Sequence, residues 1–159
     1  MRMRRTSVAT LDLADAKRAG FLNISEVAKD TGVSAKMIRH YESLGLLKPA
    51  KRTYAGYRIY EQKDVHLLRF IRRARDLGFG IKEVDRLLGL WQNRRRASAD
   101  VRRVAQQHLV DLDQKIAALE GMRRTLERLV EDCHGDHRPE CPILEDLAQI
   151  ADDTTGRQP

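Results

Sequence analysis

From Ser98 to Glu131 the chain runs 34 residues without a proline. Ala105, Leu112, Leu119, Leu126 and Cys133 recur every seven residues along it, and Leu109, Ile116 and Val130 supply a companion seam that Arg123 interrupts. A heptad pattern of this length predicts a coiled coil. At 1.5 Å per residue such a helix is about 50 Å long, more than a small domain can cover. It needs a second chain, and a homodimer is the simplest partner. Ser98, with Asp100 behind it, reads as the N-cap and acidic first turn of this helix. The composition agrees: charged residues are 33% and aromatics 5% of 159 residues, which suits a small domain joined to a long solvated helix rather than one large core.

Charge separates the two parts. Residues 1–97 carry 22 Lys+Arg against 10 Asp+Glu, a net +12, while residues 98–159 carry 8 against 13, a net −5. A basic front half points to a polyanion, and double-stranded DNA is the natural candidate. No apolar run approaches a membrane span. The N-terminus is basic but has no apolar core of a secretory signal, so a cytoplasmic location is expected, where thiols stay reduced. Ser/His/Asp sets, a phosphate-binding loop and a paired-carboxylate pocket are all missing from the sequence, and a thin coiled-coil protein offers little cleft, so an enzyme is not expected.

The expected organisation is mainly α. Residues 1–21 read as a basic, disordered arm, and residues 22–91 as a winged helix-turn-helix domain. Residues 92–97 form a linker, 98–131 the dimerisation helix, 132–148 a metal-binding loop with a short helix, and 149–159 a disordered tail. Within the front domain, "SEVAKDTG" reads as a helix capped by Ser25 and stopped by Gly32, and "VSAKMIRHYESLGL" as a second helix capped by Ser34 and ended by Gly45. The short break between them has helix-turn-helix spacing. Alternation of Tyr57 and Ile59 against Arg58 and Tyr60 predicts a β-hairpin with "YAG" at its tip. Two more helices follow, over Glu61–Leu77 and over "IKEVDRLLGLW".

In the second helix Lys36, Arg39, His40 and Glu42 project away from Met37, Ile38 and Leu44. Arg39 can reach a guanine edge or a phosphate and Tyr41 a phosphate, while Lys51, Arg52, Tyr57 and Arg58 form a basic and aromatic cluster suited to gripping backbone. The stretch "NISEVAKDTGVSAKMIRHYESLGLLKPAKRTYAGYRIYEQKDV", with its "IRxYExxGLL…GYRxY" pattern, resembles the MerR family of winged-helix transcription regulators. The resemblance spans about Leu22 to Leu147. It implies a dimer joined by an antiparallel coiled coil that binds an inverted repeat in an overlong promoter spacer. Activation would come from distorting that DNA so that RNA polymerase engages both promoter elements. By position it assigns DNA contacts to Lys36, Arg39, Tyr41, Arg52, Tyr57 and Arg58. His40 departs from the aromatic common there, and the N-terminal arm has no counterpart. An effector-independent DNA-bending accessory protein of the excisionase type is the competing class.

The chain has two cysteines, Cys133 and Cys141, in "CHGDHRPECPILEDL". Two thiolates suit a linear, monovalent soft ion, whereas zinc asks for four ligands. His134 and His137 lie in the same loop and keep a Cys2His2 set open, as the spacing keeps open a redox disulfide. Pro142 fits the first position of a helix whose positive end would face the Cys141 thiolate and partly offset a bis-thiolate of net charge −1. "C-x7-C-P-I" with the downstream "LEDL" resembles the CueR/HmrR-type copper-responsive branch of the family. That resemblance implies one Cu(I), Ag(I) or Au(I) per protomer at Cys133 and Cys141, and a metal-efflux or detoxification gene as target. It also makes Ser98 a metal-selectivity position, since divalent-ion sensors of the family carry a cysteine there.

Overall fold

The computed structural model describes residues 11–93, 95, 97–133, 135 and 141–149. The chain divides into two compact units, residues 1–104 and residues 105–159. In chain order its elements are α1 (Leu13–Arg18), β1 (Leu22–Asn23), α2 (Ile24–Thr31), α3 (Ala35–Ser43), β2 (Lys51–Arg52), β3 (Arg58–Tyr60), α4 (Gln62–Asp76), α5 (Ile81–Gln92), α6 (Ser98–Asp132) and α7 (Pro142–Gln149).

In the first unit, α2 and α3 form the helix-turn-helix. The cap of α2 is Asn23, not Ser25: Asn23 Oδ1 accepts from the Glu26 N–H at 2.9 Å, and Glu26 Oε2 accepts from the Asn23 N–H at 2.8 Å. This reciprocal pair satisfies two otherwise orphaned donors, a possibility that Ser25, one residue inside the helix, does not have. At the other end Gly32 takes φ +67 and its N–H bonds Ala28 O at 2.8 Å, a left-handed stop that glycine adopts without penalty. Thr31 Oγ1 donates to Val27 O at 2.7 Å and accepts from the Val33 N–H at 3.2 Å, so the buried turn is satisfied by its own side chain. Arg72 of α4 lies across this turn, donating from Nη1 to Thr31 O at 2.9 Å, and a Cβ on Gly32 would stand 1.4 Å from that nitrogen.

Gly32→Ala is therefore expected to force a left-handed alanine, at about 1–2 kcal/mol, and to push Arg72 off its carbonyl, at about 1 kcal/mol. A loss of about 2–3 kcal/mol in urea unfolding is the expected result. An unchanged midpoint would mean that the turn relaxes freely.

The three strands form one antiparallel sheet in the order β1-β3-β2, with Leu22 opposite Tyr60 and Lys51 opposite Ile59. Central β3 does not follow the expected alternation, because Ile59 and Tyr60 are both buried. The Tyr60 ring enters the core since its hydroxyl finds a partner there, donating to Glu42 Oε1 at 2.8 Å. Val27, Ile38, Val65, Leu68, Ile71 and Val84 from α2, α3, α4 and α5, with Leu47 from the loop after α3, complete the core, each such residue contributing about 1.5–3 kcal/mol by burial. Phe70 and Trp91 stack at 4.8 Å between centroids and fasten α4 to α5.

The reading of residues 1–21 as disordered is corrected over part of its length, and residues 1–10 lie outside the described residues. Leu13–Arg18 is helical, with Asp12 Oδ1 accepting from the Asp15 N–H at 2.6 Å and Ala16 wholly buried. The tail from residue 150 onward also lies outside the described residues.

Helix α6 starts at Ser98 itself and runs to Asp132, so Ser98 is its first helical residue rather than a cap outside it. In the second unit Leu109, Ile116, Leu119, Met122, Leu126 and Val130 are all exposed along α6. No helix among the described residues is long and apolar enough to cross a membrane.

Candidate nucleic-acid interface and thiol pair

Helix α3 is set by Ser34, whose Oγ accepts from the Met37 N–H at 3.2 Å. Its inner side buries Ile38 and Tyr41, while Lys36, Arg39 and His40, at helical spacing on the opposite side, are exposed. Tyr41 is 5% exposed and belongs to the hydrophobic core. The same spacing serves an inward ring and an outward one, and this ring packs in the core, which leaves only its rim for the phosphate contact expected of it.

Glu42 joins α3 to β3. Its carboxylate accepts from Tyr60 and lies 3.5 Å from Arg58 Nε, with its side chain 11% exposed. Burial, followed by the bond to Glu42, holds the Tyr60 hydroxyl far above its ordinary pKa, so it stays a donor. Arg58 is half-buried, and part of its guanidinium orients the recognition helix rather than facing solvent. No local pattern around Glu42 marks this role, because its partner lies 18 residues away in the chain.

The wing between β2 and β3 is closed by Thr53, which is buried. Its N–H donates to Tyr57 O at 3.0 Å, and its Oγ1 accepts from the Tyr57 N–H at 3.1 Å. Arg52 Nη1 donates to Gly56 O at 2.8 Å across the tip. Tyr57 is 58% exposed, and Tyr54, to which the sequence pattern assigned no contact, is 86% exposed. Lys51 pairs with Glu61, which also binds Lys63 at 2.6 Å. The hydrogen bonds from Lys51 and Lys63 hold Glu61 at a pKa of about 2. A depressed carboxylate contributes above its unfolded value and loses that contribution as pH falls through its folded one. Lys51 thus meets an ionised partner throughout the neutral range, and any phosphate it contacts must compete with Glu61.

The cysteines flank the loop between α6 and α7. Cys133 directly follows α6, its N–H bonded to Val130 O at 3.2 Å. Cys141 directly precedes α7, and its carbonyl accepts from the Glu145 N–H at 3.0 Å, which makes Cys141 the N-cap of that helix, with Pro142 first inside it. Both thiols are free and half-buried. His134 and His137 lie outside the described residues. Two free thiols, one at a helix N-terminus that favours negative charge, fit a soft, low-charge cation. Ser98 is exposed at the start of α6 and presents a hydroxyl, not a thiol.

Residues 22–90 match the family described as MerR HTH family regulatory protein, and residues 65–129 match MerR, DNA binding. The chain is 56% identical over 128 residues to the HTH-type transcriptional regulator HmrR of Sinorhizobium medicae, covering 80% of this chain and 87% of that one. It is 41% identical over 127 residues to the regulator CueR of Salmonella typhimurium, covering 80% and 92%. Among solved structures, MerR of Bacillus megaterium in complex with mercury(II) superposes with a TM-score of 0.61 at 34% identity, over 80% of this chain and 99% of the other. A winged helix-turn-helix with a long helix behind it defines a class of DNA-binding transcription regulators. Within that class the chain belongs to the MerR family.

Proposed function

We propose that the chain is a soft-metal-responsive transcription regulator, acting as a homodimer on an inverted-repeat promoter operator and answering Cu(I) or Ag(I) through Cys133 and Cys141. The observation that carries this reading is the placement of the chain's two thiols, one ending α6 and one capping α7. The names of its relatives point the same way, since one is called a heavy metal-dependent transcription regulator and others HmrR and CueR. The two thiolates would hold one monovalent ion per protomer, which supplies a linear link between them. Cys133 and Cys141 then tie the end of α6 to the start of α7, and the dipole of α7 offsets the residual negative charge.

On DNA, Lys36 and Arg39 would enter the major groove from α3 while Arg52, Tyr57 and Arg58 hold backbone from the wing. Bending or untwisting a short site costs about 1–10 kcal/mol. A bound ion needs only to favour the protomer arrangement that imposes one DNA shape over the other. RNA polymerase reads the result at the promoter. Ser98 supports the monovalent reading because it offers no third thiolate.

X-ray absorption on the Cu(I)-loaded protein tests the site. Two sulfurs at short distance without nitrogen are expected. A four-coordinate site that includes histidine would replace this reading with a divalent, zinc-type one, and a disulfide without metal uptake would replace it with a redox switch.

A further inference from the structure

Tyr54, at the tip of the wing, is the most exposed aromatic residue among the described ones, and its backbone is fixed from two sides. Tyr54 and Ala55 are the central pair of a turn that the Gly56 N–H closes on Thr53 O at 2.9 Å. Gly56 takes φ +83, the left-handed step that lets a tight turn match the twist of its strands. From outside the hairpin, Leu11 O accepts from the Tyr54 N–H at 3.0 Å. Leu11 leads into α1, which is itself anchored: Ala16 is wholly buried, and Lys17 pairs with Glu26 of α2 at 2.6 Å. Beyond α1, the Phe21 ring lies 5.4 Å from the Lys51 ammonium of β2. The wing tip is thus tied to the body of the first unit, while the Tyr54 ring stands in solvent.

We propose that Tyr54 is a further DNA contact of the wing, its ring packed against a deoxyribose and its hydroxyl donating to a phosphate oxygen. The inference rests on the DNA-binding reading above. The contacts assigned there by position include Tyr57 and Arg58 but not Tyr54, which lies outside the quoted family pattern. Charge favours DNA as the occupant, because Tyr54 sits on the same hairpin as Arg52 and Arg58, in the half of the chain with a net charge of +12. The wing's cations are partly committed within the protein: Lys51 to Glu61, Arg52 to Gly56 O and Arg58 to Glu42. A tyrosine adds what they lack, a neutral donor for phosphate joined to an apolar face for the sugar. With the backbone held, only two side-chain torsions remain to be ordered on binding, so the contact costs little entropy. The competing occupant is a carboxylate of a second copy of the chain, which could accept from the same hydroxyl.

The test compares the full chain with Tyr54→Phe and Tyr54→Ala by fluorescence anisotropy. The probes are a mixed-sequence duplex and a duplex selected by the wild-type chain from a random pool, each from about 50 to about 200 mM salt. Tyr54→Ala is expected to weaken both complexes about 10-fold, and Tyr54→Phe, which keeps the ring, by less. The slope of log affinity against log salt should stay at its wild-type value, because a neutral side chain releases no counterions, whereas Arg52→Ala should reduce it by about 0.9. The thermal midpoint should not move, since neither substitution removes the backbone bond to Leu11. Hydroxyl-radical labelling read by mass spectrometry reports the contact directly: Tyr54 should label in the free protein and be protected by either duplex. Wild-type affinity in Tyr54→Ala, or equal labelling with DNA bound, would overturn the contact. A smaller salt slope in Tyr54→Ala would overturn it too, because Tyr54 would then act by placing the wing's cations. Protection that appears without DNA as protein concentration rises would assign the ring to a second copy instead. A wild-type chain that binds neither duplex would overturn the DNA-binding reading itself.

Discussion

Cys133→Ser and Cys141→Ser are each expected to bind operator DNA with wild-type affinity and to give no rise in promoter output when copper or silver is added. Serine is nearly isosteric with cysteine, but its hydroxyl stays protonated at neutral pH and is a hard ligand, so a single remaining thiolate cannot complete a linear pair. Losing even an outer partner of a metal ligand weakens binding about 10–100-fold; losing one of two ligands should exceed that range. The choice of serine separates chemistry from folding at Cys141. That residue caps α7, its carbonyl bonded to the Glu145 N–H, and serine is among the preferred caps, so α7 is retained. Any loss of response then comes from the sulfur. Anisotropy on the operator and a reporter fusion measure the two halves of the result. His134→Ala and His137→Ala are the informative controls, expected to respond as wild type. Loss of response in the histidine variants with response intact in the serine variants would move the site away from the thiols.

Much of this is legible in the sequence because the signals are local. Gly32 and Ser34 bracket the helix-turn-helix break, and both act there as punctuation suggests: Gly32 takes a left-handed φ, and Ser34 Oγ accepts from Met37. The parts that sequence pattern leaves open depend on neighbours distant in the chain. Strand β1 is two residues long and exists because Leu22 and Asn23 pair with β3, a register no local window contains. The inward turn of Tyr60 follows from Glu42, and the burial of Tyr41 follows from a core that draws on four helices. Helix α1 escapes sequence pattern for the same reason: six residues are too few to be helical alone, and what fixes them is Ala16 in a buried niche and Lys17 on Glu26. At the thiol site the residue types and the helix behind Cys141 are readable, since Pro142 marks its own position. The ligand count is a property of how the loop closes, which spacing alone leaves open.

Leu119→Glu combined with Leu126→Glu is expected to abolish dimerisation and, with it, binding to a two-fold operator. These leucines lie seven residues apart on α6 and are 64% and 53% exposed in the single chain, beside exposed Ile116, Met122 and Val130. An apolar seam of that length, open to water, is stable only against another such surface. Two-fold symmetry counts each substitution twice. At about 1.5–3 kcal/mol per buried leucine, removing four leucines takes away about 6–12 kcal/mol, comparable with the whole of a nanomolar association, about 12 kcal/mol. Four introduced carboxylates add like-charge repulsion in a rear half whose net charge is already −5. Glutamate and leucine have similar helix propensity, so circular dichroism should show α6 retained and sedimentation should show a monomer at micromolar concentration. Operator affinity should fall by more than about 100-fold, the difference between two linked half-sites and one. A dimer that survives both substitutions would place the partner surface on another face of α6 and would require a different account of why this stripe is apolar.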